Sequence, residues 1–351
     1  MTNAHQRLAV ASCMAFAAAA TAATAQLPTP AGSPADAFVF REVRPDIYHA
    51  IGTGRMAVGA NAAIIINEGE VLVVDSHVSP AAATALLGQL ARITAKPVRY
   101  VVNTHFHFDH VHGNQVYPRD VEIIGHEFTR EVIARGGSVS GRGYDRFVGG
   151  LPAQIAALRR EIAAATDTVR RAELERRLAV QEAYLTATND VRPTAPTTTL
   201  ATRMTLHRGE REIRLLFFGR GHTGGDVVVH LPRERLVITG DLLVAGLPYM
   251  GDGYLLEWAE TLEHVKALDF DVILPGHGEP FSDRRRIDHL QAYLRDLWTR
   301  TAALHTAGVP ADEAAERIDM RDHAANFPAI RQIGADRDAV ARVYELLSRG
   351  R

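Results

Sequence analysis

Short apolar runs separated by turns characterise the first hundred residues of the chain. β-branched and apolar residues fill Ala62–Ile66 and Val71–Val74, and shorter runs lie at Phe38–Arg41 and Ile47–Ile51. Such runs predict β-strands. The segment that follows, Pro80–Ile93, has apolar positions at helical spacing and predicts an amphipathic helix. Strands therefore alternate with helices, which is typical of an α/β protein.

A different helical pattern occupies the middle of the chain. After the glycine-rich segment Arg135–Gly150, apolar residues recur at alternating steps of four and three from Leu151 to Val169, and leucines continue the pattern as far as Leu185. These are coiled-coil spacings. The pattern predicts a helical insertion over residues 151–187, as a hairpin or as one long helix. Three roles are compatible with it: packing on the domain surface, capping a functional cleft, or dimerisation.

The two ends of the chain have contrasting patterns. Residues 1–25 combine Arg7, an alanine-rich apolar stretch and an A-x-A sequence, which together predict a secretory signal peptide. Residues 26–37 include a proline-rich stretch and predict a linker. Residues 284–351 repeat apolar positions on one helical face and predict C-terminal helices that complete the fold. Residues 38–351 are then expected to form one domain with its insertion.

Composition and charge narrow the functional classes. Cys13 is the only cysteine and would leave with the signal peptide, so we expect neither disulfides nor a thiolate metal ligand in the mature chain. The formal charge of −2 would become −3 on loss of Arg7. This balance gives no electrostatic case for binding nucleic acid or an anionic membrane. Since no other segment could span a bilayer, we expect a soluble protein that is periplasmic or secreted.

Metal-ligating residue types are densest directly after the apolar run Val98–Val102. The sequence THFHFDH over residues 104–110 contains three imidazoles and one carboxylate. Ionisable side chains at the end of a buried strand must be paired or bound to something, and a metal site meets that need economically. If the strand extends to His105, the side chains of His105 and His107 point the same way.

Three later segments repeat one design, in which a strand is followed by a glycine-containing turn that presents a potential ligand. The ligands are His222, Asp241 and His277. Glycine permits the close backbone approach that brings such turns together. The separations of 112, 19 and 36 residues, counted from His110 through these three residues, are too long for a zinc finger. The fold itself must assemble the site.

The motif HxHxDH, followed by His, Asp and His, resembles the metallo-β-lactamase superfamily over roughly residues 38–282. The resemblance implies an α/β fold, a four-layer αββα sandwich with metals between the two sheets at one edge. It implies two zinc ions and a bridging hydroxide. The implied ligands are His105, His107 and His222 for the first ion, Asp109, His110 and His277 for the second, and Asp241 as a bridge between them.

The resemblance also separates supporting residues from ligands. Asp75, which ends the strand Val71–Val74, matches an acidic position that braces the metal loop, although an ordinary turn residue would look the same. His77 and His112 match no ligand position, and we expect them to be solvated or hydrogen-bonded. Zinc suits the imidazole-rich ligand set, while iron and manganese would also fit mixed nitrogen and oxygen ligands.

A two-zinc centre with two carboxylates and a hydroxide carries about one residual positive charge. We therefore expect a small-molecule substrate with a carbonyl, possibly an anionic one. Asp109 and Asp241 are the predicted catalytic carboxylates, with Asp109 a candidate proton relay. Tyr249 and Tyr254 lie in the loop after Asp241, where they would contact the substrate or pack against the C-terminal helices.

These features predict an exported dinuclear zinc hydrolase that opens a cyclic amide or ester in the manner of a β-lactamase. Lactonase or thioesterase activity is the alternative, because the resemblance associates Asp241 with those enzymes, whereas exported β-lactamases have a serine near that position. The alternative from a different functional class is a non-catalytic periplasmic protein that binds a metal or a partner. The oligomeric state stays open.

Overall fold

The computed structural model describes residues 36–349. The predicted signal peptide, residues 1–25, and the predicted linker up to residue 35 lie outside the described residues.

The first of two sheets has its strands in sequence order: β1 (Phe38–Arg44), β2 (Ile47–Gly52), β3 (Ala62–Ile66), β4 (Val71–Val74), β5 (Val98–Val102), β6 (Glu122–His126) and β7 (Thr198–Leu200). The second sheet, in the order β12-β11-β10-β9-β8, contains β8 (Arg203–Arg208), β9 (Arg211–Leu216), β10 (Val228–Leu231), β11 (Leu236–Gly240) and β12 (Val272–Pro275).

The α-helices of the described part fall into three sets along the chain. One accompanies the first sheet, one contains the insertion, and one accompanies and follows the last strands of the second sheet. They are α1 (Pro80–Leu90), α2 (Phe108–Val111) and α3 (Glu127–Ala134); α4 (Arg142–Phe147), α5 (Leu151–Ala164) and α6 (Thr168–Thr188); and α7 (Leu255–Lys266), α8 (Arg285–Thr306), α9 (Ala311–Arg317) and α10 (Arg337–Arg349).

Side chains of the first sheet alternate between two cores. In β3, Ala63 and Ile65 belong to the core between the two sheets. Ile64 and Ile66 point the other way and pack with Leu86 of α1. Because successive side chains of a strand point to opposite faces, a strand that is covered on both faces is apolar at every position.

The second sheet is covered in the same manner. Val229 and Ile238 face the first sheet, whereas Val228 and Val237 pack against α7 through Trp258 and against the helices that follow it. The layers are thus helix, sheet, sheet and helix. This arrangement confirms the predicted four-layer αββα sandwich.

Strand direction decides where functional side chains can meet. β4, β5, β6 and β7 pair in parallel in the first sheet, and β11 pairs in parallel with β12 in the second. Parallel neighbours end at the same edge of a sheet, so the turns that follow β4, β5, β11 and β12 present their side chains together.

The insertion is a helical hairpin rather than one long helix. α5 ends at Ala164, Ala165 has an extended backbone, and α6 begins after Asp167, whose side chain accepts a hydrogen bond from the backbone N–H of Arg170 at 2.7 Å. An aspartate at this position stabilises the first turn of the new helix. The break therefore lies where the chain supplies an N-cap.

Helices α8, α9 and α10 correspond to the predicted C-terminal helices and pack on α7 and the second sheet. Between residues 36 and 349, no helix combines the length and the apolar character needed to cross a membrane.

Candidate metal centre

The segment from the end of β5 through α2 carries four of the predicted ligands, His105, His107, Asp109 and His110. β5 ends at Val102 and does not continue to His105, so strand alternation does not orient this segment. His107 has an extended backbone directly before α2, and Asp109 and His110 lie within that single helical turn. A tight turn followed by one turn of helix therefore brings these side chains together.

The other three predicted ligands come from the second sheet. His222 lies in the loop between β9 and β10, Asp241 directly follows β11, and His277 lies two residues beyond β12. A Cβ atom on Gly276 would lie 2.2 Å from Asp241 Oδ1 and 2.9 Å from His110 Cε1. Only glycine at position 276 lets the backbone after β12 approach the two ligands so closely.

Three imidazoles form the first group of candidate ligands. His105 Nε2 lies 3.0 Å from His107 Nδ1, and His222 Nε2 lies 2.9 Å from the same atom. His105 and His222 are fully buried, and His107 is nearly so. Three ring nitrogens thus converge on one point from three directions, as nitrogen ligands do around a metal ion.

A carboxylate and two imidazoles form the second group. Asp109 Oδ2 lies 3.2 Å from His277 Nε2 and 3.7 Å from His110 Nε2. Asp241 is next to both groups: its carboxylate oxygens lie 3.1 Å from His277 Nε2, 3.4 Å from His110 Nε2 and 3.7 Å from His222 Nε2. All seven predicted ligands therefore lie in one continuous cluster.

The family follows from a comparison with protein-family models. The model of the metallo-beta-lactamase superfamily matches residues 55–277, which include all seven clustered residues. The chain belongs to the metallo-beta-lactamase superfamily. Members of this superfamily are metal-dependent hydrolases.

Two curated relatives align with most of the chain. A linear primary-alkylsulfatase from Pseudomonas sp. (strain ATCC 19151) is 22% identical over 296 residues, which are 78% of this chain and 53% of that protein. The alpha subunit of 2,4-dinitroanisole O-demethylase from Nocardioides sp. (strain JS1661) is 26% identical over 254 residues, 70% of this chain and 60% of that subunit. The chain thus spans about half the length of the alkylsulfatase.

A solved structure gives the same fold. The metallo-beta-lactamase from Pontibacter korlensis superposes with a TM-score of 0.52 and 17% identity, covering 74% of this chain and 99% of that chain. At this identity the likeness concerns the superfamily sandwich and not the substrate.

Unsatisfied polar atoms show that the cluster fits metal ions. His110 Nε2 and Asp241 Oδ1 are buried and lie 3.4 Å apart, and neither makes a hydrogen bond of normal geometry within the described residues. Buried polar atoms are normally paired or bound to a metal. Imidazole and carboxylate donors suit zinc, iron and manganese, and groups of three leave room for a further ligand. The superfamily cluster of this chain can therefore hold metal ions.

The two groups differ in their electrostatics. Burial lowers the pKa of His105 well below its usual value and lowers that of His222 to about 3. Burial also opposes protonation of His110 and His277, but the Asp241 carboxylate raises the pKa of both, that of His277 to about 10. His105 and His222 therefore offer neutral imidazoles, whereas metal binding at the second group must displace protons.

Asp75 fixes the orientation of His110. Asp75 Oδ2 lies 2.7 Å from His110 Nδ1, and the same carboxylate accepts hydrogen bonds from the backbone N–H and the hydroxyl of Thr104, both at 2.8 Å. An imidazole that donates Nδ1–H to a carboxylate presents its Nε2 lone pair to a metal. The structure thus places Asp75 where the family resemblance puts its bracing carboxylate.

Asp252 supports His107 in the same way, and sequence reasoning missed it. Asp252 Oδ2 lies 3.1 Å from His107 Nε2, which leaves Nδ1 facing the cluster. The two residues are 145 positions apart. The sequence signal is limited to an acidic residue between Gly251 and Gly253, in the loop that also contains Tyr249 and Tyr254.

His77 and His112 stay outside the cluster, as expected. His77 Nδ1 lies 2.9 Å from the carbonyl oxygen of Ala60, and His112 Nε2 lies 2.8 Å from that of Ser138. Both imidazoles are buried, so they are hydrogen-bonded side chains rather than solvated ones.

A cleft of about 560 Å³ opens above the cluster. We call the ligand-bearing turns its floor and helices α4, α5 and α6 its roof, because residues of both line it. Tyr249 is also a lining residue, and its ring centroid lies 5.9 Å from that of His107. Tyr249 therefore lies where a substrate could reach it, and its contact with substrate stays a prediction.

Tyr254 requires a correction, because it does not line the cleft. Its ring lies between two guanidinium groups, with Arg220 at 4.2 Å and Arg342 at 4.7 Å from the ring centroid. Tyr254 directly precedes α7, so it joins the loop to the C-terminal helix α10 that carries Arg342. Packing, the other prediction for this residue, describes its position.

Proposed function

We propose that this chain is a hydrolase that uses two metal ions, zinc by preference, to open a carbonyl bond in a small cyclic amide or ester. The observation that carries the proposal is the position of Asp241. Its carboxylate lies within 3.1–3.7 Å of ring nitrogens from both candidate ligand groups. A carboxylate shared by two groups of three ligands is the arrangement expected of a two-metal hydrolase.

Each metal ion would have its own set of residues. Two bound divalent ions supply Lewis acidity and a means of activating water near neutral pH. Asp241 would hold both ions. The remaining ligands would be His105, His107 and His222 for one ion, and Asp109, His110 and His277 for the other.

The residues of the chain provide the remaining parts of the reaction. Asp75 and Asp252 hold two of the histidines in fixed tautomers. Asp109 lines the cleft, and its carboxylate lies beside His277 Nε2. We propose on this basis that Asp109 carries a proton towards a leaving group in the cleft.

We test the proposal by measuring kcat/KM of the metal-loaded protein on a chromogenic cephalosporin, a γ-lactone, a thioester and a p-nitrophenyl ester. Chelated protein and Asp241→Ala are the controls. We expect metal-dependent turnover above about 10⁴ M⁻¹s⁻¹, in the ordinary range for enzymes, for at least one carbonyl substrate. Metal binding without turnover of any of them would favour the non-catalytic alternative.

An alkyl sulfate ester is the second candidate substrate. The alkylsulfatase match over 296 residues favours it. Adding an n-alkyl sulfate to the same assays tests it, because release of sulfate without hydrolysis of any carbonyl compound would replace the first candidate by the second.

We also propose export to the periplasm or the medium. The support is the pattern of residues 1–25, which lie outside the described residues. Mass spectrometry of the protein expressed in a bacterial host tests this location: a mature N-terminus at Gln26 in the periplasmic fraction is expected, and an intact Met1 in the cytoplasm would contradict it.

A further inference from the structure

The roof contributes a large part of the cleft wall. Phe147 of α4, Leu151 of α5, and Val180 and Tyr184 of α6 all line it. Opposite them, the loop after Asp241 adds further apolar side chains, among them Leu247. A molecule bound over the floor must therefore contact the roof as well.

The wall above the floor is apolar and carries no cation. None of the described residues that line the cleft is lysine or arginine. The nearest arginines of α4 have other partners: Arg146 Nη1 lies 2.8 Å from Asp336 and 2.7 Å from Asp338, and Arg142 pairs with Glu345. The Arg146 guanidinium lies 5.3 Å from the centroid of the Phe147 ring, but Asp336 and Asp338 already neutralise it. A carboxylate on the substrate would therefore find no free counter-charge on this wall, and burying it there would be costly.

The polar side chains with which the roof lines the cleft, Gln154, Gln181 and Tyr184, are neutral. The hydroxyl of Tyr184 and Oε1 of Gln181 are buried and have no hydrogen-bond partner within the described residues. Gln181 Nε2 lies 3.4 Å from Gln154 Oε1, so one weak amide contact spans the roof. Neutral donors and acceptors among apolar side chains are typical of sites for small uncharged ligands.

Phe147 gives an independent indication that the cleft suits an apolar group. It is 42% exposed, among the few large hydrophobic residues of the described part with such exposure. Its ring centroid lies 5.6 Å from Tyr249 and 6.3 Å from Phe108, so it is one side of an aromatic wall that stays open towards the cleft. An apolar group in the cleft would cover this ring.

We propose that the roof is a binding pocket for an uncharged apolar arm attached to the reacting carbonyl of the substrate. The inference rests on the proposed function and narrows its substrate class, because the anionic substrate expected from the charge of the centre finds no partner on the wall. Phe147, Leu151 and Val180 hold the arm, and the aromatic ring of Tyr184 packs beside it.

The test measures binding without hydrolysis. Methyl n-alkyl ketones present a carbonyl and an apolar arm but have no leaving group. Calorimetric titration of the metal-loaded protein with 2-pentanone through 2-nonanone is expected to show Kd falling about fourfold for each added methylene. The matched probe 8-oxononanoate, with the same nine carbons but a terminal carboxylate, is expected to bind at least about tenfold more weakly than 2-nonanone.

Two variants on the same helix localise the pocket. Val180→Asp places a charge in the wall, and we expect it to weaken 2-nonanone binding by about tenfold or more. Val169→Asp makes the same chemical change at a residue of α6 that is 75% exposed and does not line the cleft, so its Kd is expected to stay unchanged. Phe147→Ala is a second test, at a residue of the cleft wall that is 42% exposed and so contributes little to the core. We expect it to weaken 2-nonanone binding as well, and an unchanged Kd would contradict the pocket.

The outcomes distinguish the pocket from the hydrolase. A Kd that is independent of chain length, or equal binding of 8-oxononanoate and 2-nonanone, would overturn the pocket even if esters are hydrolysed. A chain-length dependence that is lost in Val180→Asp would support the pocket even if no substrate is turned over, and in that case only the proposed function would fail.

Discussion

The floor of the cleft and its roof differ in burial and in what holds them. On the floor, buried imidazoles are fixed by carboxylates, as His110 is by Asp75. In the roof hairpin, α5 buries only three side chains and α6 buries only Leu174. The floor therefore has one well-defined geometry, whereas the roof can change its lining residues at little cost to the core. In the proposed function, the floor carries the chemistry and the roof selects the substrate.

The largest expected effect comes from removing the carboxylate shared by the two ligand groups. Asp241→Ala should lower kcat/KM by about 10³-fold or more, since metal ions contribute several kcal/mol of transition-state stabilisation. Steady-state assays on the best substrate of the panel measure this. Asp190→Ala, at an exposed aspartate, is the matched control. A loss of less than tenfold would mean that the floor does not depend on a shared ligand.

Metal removal should affect stability next most strongly. An ion present at a thousand times its Kd stabilises the fold by about 4 kcal/mol, so chelation should lower Tm by about 10 °C. Thermal unfolding with and without a chelator measures the shift. Added zinc should restore the Tm of the wild type and that of Val169→Asp equally, because the floor binds the metal and the exposed end of α6 does not. If Tm stays unchanged after metal loss has been demonstrated, the metal does not stabilise the floor, and the proposed difference between floor and roof is wrong.

Smaller effects are expected from the residues that orient the ligands. Asp75→Asn and Asp252→Asn should each weaken metal binding by about 10- to 100-fold, as such partners typically do. Asp75 should give the larger loss, because it is fully buried and accepts two further hydrogen bonds from Thr104. Competition with a chromophoric chelator measures both affinities. If both variants bind metal as tightly as the wild type, the two aspartates do not contribute to the metal affinity of the floor.

The smallest effect concerns a residue that belongs to neither the floor nor the roof. Tyr254→Leu removes an aromatic ring from between Arg220 and Arg342 and should lower Tm by about 2–5 °C, since each cation–π contact is worth about 0.5–1 kcal/mol. Its kcat/KM should stay within about twofold of the wild type. Tyr249→Leu is the matched change inside the cleft. It should change kcat/KM more, and Tm less, than Tyr254→Leu does. The reverse result would exchange the roles of the two tyrosines.

Much of the floor could be predicted because its ligands follow short strands. The apolar runs at Ala62–Ile66 and Val71–Val74 are strands in the structure, and the HxHxDH motif identified the family. The order of the four layers came from the family resemblance alone, since a strand covered on both faces carries no local sign of its neighbours. The predicted common orientation of His105 and His107 depended on a strand that reaches His105, and β5 ends at Val102.

The roof and the supporting residues were harder to predict for a physical reason. The apolar spacing of the insertion indicated helices, but the choice between a hairpin and one helix depended on the N-cap at Asp167. Nothing in the sequence links Asp252 to His107, because their contact spans 145 residues and forms only after folding. The same holds for Tyr249 and Tyr254, which are five positions apart but lie in different surroundings.

The most direct test of the account is the metal content of purified, zinc-loaded protein, measured by inductively coupled plasma mass spectrometry. The wild type should bind about two ions per chain, and His222→Ala and His277→Ala should each bind about one, because each variant damages one ligand group only. One ion per chain in the wild type, or no loss of metal in either variant, would contradict a two-metal floor.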